Sequence, residues 1–239
     1  MTFTLTDCNG SNNTYHFSEN YRRWKLDDSG SHEIKGGIIT STGSGSGVQN
    51  DGVFKMYGGT IVGNSGTSYN AGSSGNRGGG VYVRSADSRF DMYGGAITGN
   101  TASGGTADQG GGGVFVSGGE FTMYGGEIAN NAATGHNATC GGGVNVAANG
   151  TFNMRGGTIG GEGKGNYADN GGAVYVKNAT FNMSGDAAII GNDARGSGAG
   201  VVLAGSVLEM SGNARIAGNT GYGVSVSFTD KGSSFTMSG

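Results

Sequence analysis

Two rows of aromatic side chains recur at fixed places in this 239-residue chain, and aromatic faces are what proteins stack on sugar rings or bury at partner interfaces. Tyr82, Phe115 and Tyr175 share one position, which Asn145 also occupies, and Tyr57, Tyr93 and Tyr124 share another. In register, the same residues equally serve as cross-strand pairs of about 0.2–1 kcal/mol each, with Arg155 extending the tyrosine row as a cation over Tyr124. Carboxylates offer a second chemistry. Asp108, Asp169 and Asp193 would supply oxygen ligands to calcium if their segments align, and otherwise are solvated loop residues. His136 and Cys140 have the types of a base and a nucleophile, but nothing nearby supplies the third, orienting group. Gly-x-Gly-x-x-Gly strings occur without the preceding strand and following helix of a dinucleotide site.

The elements that must hold these residues are set by a repeat. Phe54, Phe90, Phe121, Phe152, Phe181, Leu208 and Phe235 are each followed two residues later by methionine, and the methionine spacings are 36, 31, 31, 29, 27 and 27. A period of roughly 20–50 residues marks a solenoid, whose units bury their apolar faces only by stacking. Each unit reads as three short strands: a Val-x-Val segment such as Val114-Phe115-Val116, the Phe-x-Met segment, and a segment carrying Ile61, Ile97, Ile128, Ile159, Ile189 or Ile216.

Side chains alternate across a strand, so Val-x-Val, Phe-x-Met and Ile point inward together. The intervening second-strand residues, Lys55, Asp91, Thr122, Asn153, Asn182, Glu209 and Thr236, then face outward, and all are polar. The expected fold is all-β: a single right-handed parallel β-helix of about seven coils, three strands per coil.

The corners carry their own signature. Gly-Gly pairs at 58–59, 94–95, 125–126 and 156–157 suit a sharp bend. Asn64, Asn100, Asn131, Asn192 and Asn219 lie three residues past the core isoleucine, where stacked amides can bond from coil to coil; Glu162 interrupts that row. From that position to the next Val-x-Val the spacing falls as 17, 14, 13, 12, 9 and 5 residues, which predicts a tapering rim of loops beside the first strand. Residues 1–31 are irregular and read as a cap, or as an insertion in a coil whose second strand is Phe3–Leu5; the repeats occupy residues 32–239 and are expected to belong to a longer protein.

Composition narrows the classes. With 55 glycines and no proline the chain is not collagen-like, and its 34% hydrophobic residues recur in register, as those of disordered chains do not. A formal charge of −3 from 14 scattered basic and 17 acidic residues gives no basic stripe for nucleic acid. No apolar run is long enough for a membrane helix, and Met1-Thr-Phe-Thr-Leu-Thr6 does not read as a signal peptide. Cys8 and Cys140 are several coils apart, on the order of 19 Å at the strand spacing, so no disulfide between them is expected.

At Gly111-Gly-Gly-Val-Phe-Val116 followed by Phe121-Thr-Met-Tyr-Gly-Gly-Glu-Ile128, the chain resembles the glycine-rich β-helix repeats of large bacterial cell-surface proteins. It is similar, more distantly, to the repeats of polymorphic outer-membrane autotransporters. The resemblance covers residues 32–239 and implies a pectate-lyase-like β-helix, usually an adhesin or stalk without catalysis, outside the cell or on a bacterial surface.

The rival within that architecture is a polysaccharide lyase or hydrolase. The family's clustered calcium-binding aspartates, and its paired aspartates with Gly-His-Gly and Arg-Ile-Lys strings, do not occur; Gly135-His136 is followed by Asn137. Ice binding would need a flat Thr-x-Thr face, and the second-strand row is mixed. The expected function is therefore a non-enzymatic adhesin-like or scaffolding module that meets a glycan or host protein through its loop-rimmed first-strand face. Tyr82, Phe115, Asn145, Tyr175, Tyr57, Tyr93 and Tyr124 are the candidate contacts, with no cofactor beyond the calcium considered above. Because the chain stops at Phe235-Thr-Met-Ser-Gly239 directly after a second strand, end-to-end stacking through an open core layer is the further alternative.

Overall fold

The computed structural model describes residues 3–6, 12–15, 24–25, 31–40, 45–67, 78–103, 110–135, 139–227 and 232–239. Among these there is no helix, and the chain winds into a parallel β-solenoid of about six turns. Four stacked parallel sheets form its walls. The first runs from Trp24–Lys25 through Val48–Asn50, Val81–Val83, Val114–Ser117, Val144–Ala147, Val174–Lys177 and Val201–Ala204 to Val224–Ser227. The second holds the Phe-x-Met strands, from Ser31–Ile34 to Ser234–Ser238, and the third the isoleucine strands, from Ile38–Ile39 to Arg215–Ala217.

Registration is one coil to the next without slippage. Phe54 lies beside Phe90, then Phe121, Phe152, Phe181 and Leu208, and the methionines align in the same way. Neighbouring phenylalanine rings lie 4.8–5.5 Å apart, all but the Phe90–Phe121 pair nearly parallel. With the paired valines and the isoleucines they form one continuous buried core, as inward alternation requires. Each fully buried residue of this size contributes about 1.5–3 kcal/mol by leaving water.

Three strands per coil is one too few. A fourth sheet contains Ser65–Thr67, Thr101–Ser103, Ala132–Thr134, Tyr167–Ala168 and Asp193–Ala194. Its central positions are Gly66, Ala102, Ala133, Ala168 and Ala194, small because the glycine-rich run ahead of the first strand crowds against this sheet. A Cβ on Gly112 would sit 2.5 Å from the Ala132 carbonyl oxygen, and one on Gly142 would sit 2.4 Å from that of Tyr167.

The asparagine row is continuous, and Asn166, not Glu162, is its fourth rung. In the order Asn64, Asn100, Asn131, Asn166, Asn192, Asn219, the Oδ1 of every rung after Asn64 accepts from both the backbone N–H and the side-chain Nδ2 of the rung before it, at 2.8–3.0 Å. Each Nδ2 also donates to an isoleucine carbonyl of the preceding coil, as Asn131 does to Ile97 at 2.9 Å. Residues 161–165 bulge out of the corner, and the carbonyl of Lys164 accepts from Asn130 N–H, so Glu162 is exposed and the rung arrives four residues late. Measured from Asn166, the fourth spacing to the first strand is 8 residues and not 12, and the taper is no longer steady.

The Gly-Gly corners divide two demands between two residues. At Gly94 a Cβ would meet the Tyr57 carbonyl oxygen at 2.8 Å, whereas Gly95 has φ +86° and stands over Gly59 and Met56 of the coil below. At the N-terminus, Phe3–Thr6 pairs antiparallel with Asn12–Tyr15 and is not a strand of the second sheet. Trp24–Lys25 pairs with Val48 and Gln49 in the first sheet, so the solenoid is already running within the stretch read as irregular.

Candidate functional site

The outer row of the first sheet is Gln49, Tyr82, Phe115, Asn145, Tyr175, Val202 and Ser225, aligned residue against residue. Alternation places it away from the core, but not in water. Phe115 and Asn145 are each 1% exposed, Tyr82 is buried as well, and Tyr175 is half-buried. Part of the cover is the glycine-rich run itself: a Cβ on Gly111 would come within 3.0 Å of the Phe115 Cβ, and one on Gly141 within 2.8 Å of the Asn145 Cβ. Tyr82 and Phe115 pack against each other at 5.5 Å with their rings tilted by 35°. Tyr175 and Ser225 are the members of this row that are half-buried rather than buried. Asn145 presents a different oddity, since both polar atoms of its buried amide are without a hydrogen-bond partner among the described residues, where the large majority of buried side-chain polar atoms have one.

The second aromatic row stands at the corner between the second and third sheets. Tyr57 and Tyr93 are 4.8 Å apart and 8° from parallel, Tyr93 and Tyr124 4.7 Å and 2°, and the Arg155 guanidinium carbon lies 5.5 Å from the Tyr124 ring centroid. Tyr57 and Tyr93 are 43% and 40% exposed. Face-to-face stacking leaves ring edges and hydroxyls to solvent and hides the faces on which a sugar would stack. Desolvation raises the Tyr93 phenol above the ordinary tyrosine value, and the negative charge of Asp91 adds to the rise.

Between this row and the next outward position runs a strip of laterally bonded polar groups. Arg89 Nε donates to both carboxylate oxygens of Asp91 at 2.9 Å, which raises the guanidinium's own pKa further, chiefly through that hydrogen bond. Glu120 accepts from Thr122 Oγ1 and Asn153 Nδ2, and Asn182 Nδ2 donates to Asn153 Oδ1. Asp91 and Thr122, expected among the solvated outward residues, are buried in this strip.

The acidic candidates do not converge among the described residues. Asp169 Oδ2 accepts from the backbone N–H and the hydroxyl of Thr139 at 3.0 and 3.2 Å, Asp193 is exposed on the fourth sheet, and Asp108 lies outside the described residues. No group of three or more His, Cys, Asp and Glu that could hold a metal ion occurs among the described residues. His136 and Cys8 also lie outside them; Cys140 is buried, in a β-bridge with Asn170. Among the described residues no helix is long and apolar enough to cross a membrane.

What sequence reasoning missed here is the fourth sheet and its rung. The signal was present as Asn-x-Ala or Asn-x-Gly: Asn64-Ser-Gly66, Asn100-Thr-Ala102, Asn131-Ala-Ala133, Asn166-Tyr-Ala168, Asn192-Asp-Ala194 and Asn219-Thr-Gly221. Comparison with protein-family models, curated proteins and solved structures gave no match.

Proposed function

We propose that the chain is a non-enzymatic, adhesin-like module of a bacterial cell surface or secreted protein, in which the coils are a rigid scaffold. The connections between the fourth and first sheets, with Tyr175 beside them, meet a glycan or a host protein. One observation supports this reading. The connection from second to third sheet is three residues in most coils, as at 57–59, 93–95, 124–126 and 155–157. The connection from fourth to first sheet instead spans 68–80, 104–113, 135–143, 169–173 and 195–200. The greatest variation in length is thus at one corner, beside smaller changes at 84–88 and 161–166, and such a variable corner is where solenoids place recognition.

The reading shifts the contact away from the strand face. Phe115 and Asn145 are sealed, so neither serves as a contact in this reading. The test is binding to an array of glycans and extracellular-matrix proteins, comparing the parent with a variant in which residues 104–109 are replaced by Gly-Gly. We expect binding by the parent, loss in the variant, and unchanged melting. Undiminished binding by the variant would sink the assignment, and a parent silent across the array would leave a spacer role in its place.

A further inference from the structure

We infer that Asn149, at the corner between the first and second sheets, is an acceptor site for covalent attachment of a sugar to its carboxamide nitrogen. The string Asn-x-Ser/Thr, with x other than proline, is the acceptor pattern for such attachment, and it serves only where it reaches the surface. This chain has the string at Asn137-Ala-Thr139, Asn149-Gly-Thr151, Asn178-Ala-Thr180 and Asn182-Met-Ser184, and also from Asn9 and Asn12, whose side chains lie outside the described residues. A string alone does not choose among them. The fold does.

Two of the strings have a reacting group already committed. Asn182 donates from Nδ2, the nitrogen that would carry the sugar, to Asn153 Oδ1 at 2.8 Å within the polar strip of the second sheet. Thr139 is 1% exposed and its hydroxyl donates to the Ala133 carbonyl at 2.8 Å, so the string that begins at Asn137 has a buried third residue.

Asn149 differs on both counts. It is exposed, Thr151 is half-buried at the start of its second-sheet strand, and neither side chain makes a hydrogen bond among the described residues. The backbone holds the carboxamide out. Ala148 and Asn149 have φ +55° and +62°, and the Gly150 N–H donates to the Ala147 carbonyl at 2.9 Å, which makes a tight two-residue turn with Asn149 at its tip. Asparagine tolerates this left-handed backbone, but the corner does not require it: Gly118 and Gly205 serve with positive φ in the coils on either side.

Asn178 repeats the arrangement one coil on. Its carbonyl accepts from the Asn149 N–H at 2.9 Å, Thr180 pairs in register with Thr151, and its φ is +48°. It is half-buried where Asn149 is exposed, so it is the lesser acceptor of the pair. This corner lies at the far end of the first-sheet strand from the connections that join the fourth sheet to the first, and a sugar here leaves those connections clear.

The donor is a sugar activated as its nucleoside diphosphate. Asn149 Nδ2 bonds to the anomeric carbon as the bond from that carbon to the phosphate oxygen breaks. The nucleoside diphosphate leaves with the bonding pair, and the amide proton passes to a base of the transferase.

The test incubates the folded chain with a soluble glycosyltransferase specific for Asn-x-Ser/Thr and with uridine diphosphate glucose, followed by peptide mass mapping. Asn149 will gain one hexose, Asn178 less, and Asn182 none, whereas a proteolytic digest treated in parallel will be labelled at Asn182 as well. Thr151→Val will remove the label at Asn149 and Thr151→Ser will keep it, both with unchanged melting. An unmodified Asn149 in the folded chain, labelling of folded Asn182 equal to that of Asn149, or a label at Asn149 that survives Thr151→Val would each overturn the inference.

Discussion

Asn145 is the residue whose type fits its surroundings least. It stands between Phe115 and Tyr175 against the backbone of Gly141, and neither amide atom has a partner among the described residues. A buried polar group left unsatisfied costs about 1–3 kcal/mol, and an apolar side chain of similar size removes that cost. Asn145→Val should therefore raise stability by about 1–2 kcal/mol in a denaturant melt; a destabilised variant would mean that the amide is held by a partner. Alternation along Val-x-Val made the outward direction of Tyr82, Phe115 and Asn145 legible in the sequence. It could not reveal their burial, because period two tells which side of a strand a residue takes and not what lies over that side.

At the scale of the elements, what was legible followed side-chain contrast. Val-x-Val, Phe-x-Met and the isoleucine strands stand out from polar flanks, and all of them are strands with those residues inward. The fourth sheet was hidden because its inward residues are glycine and alanine, like the connections it adjoins. The asparagine ladder was found but broken at the wrong place, since a five-residue bulge at 161–165 displaced its fourth rung.

That ladder is the sharpest test of the coil geometry. Asn166→Ala removes the acceptor of Asn131 and the donor to Asn192 and Ile128, leaving buried groups unpaired. It should cost about 2–4 kcal/mol, while Glu162→Ala, at an exposed position, should stay within about 0.5 kcal/mol. Equal effects from the two, read by the same melt, would remove Asn166 from the ladder.

On the scale of the whole molecule, the four sheets repeat in register from coil to coil, and the largest variation in connection length is at the corner between the fourth and first sheets. A repeat specifies such a rod strongly and its partner weakly, because coil residues are committed to stacking. The tyrosine row illustrates this: its rings stack on one another and on Arg155, so their most obvious binding surface is already used.

The central claim is that the connections recognise and the coils support. Hydrogen–deuterium exchange, run with and without the strongest binder from the glycan and matrix-protein array, tests it most directly. The account predicts slowed exchange in peptides covering residues 68–80, 104–113, 135–143 and 169–175, with the second-sheet face unchanged. Protection centred on residues 89–95 and 120–126 instead would place the partner on the tyrosine face and contradict the account.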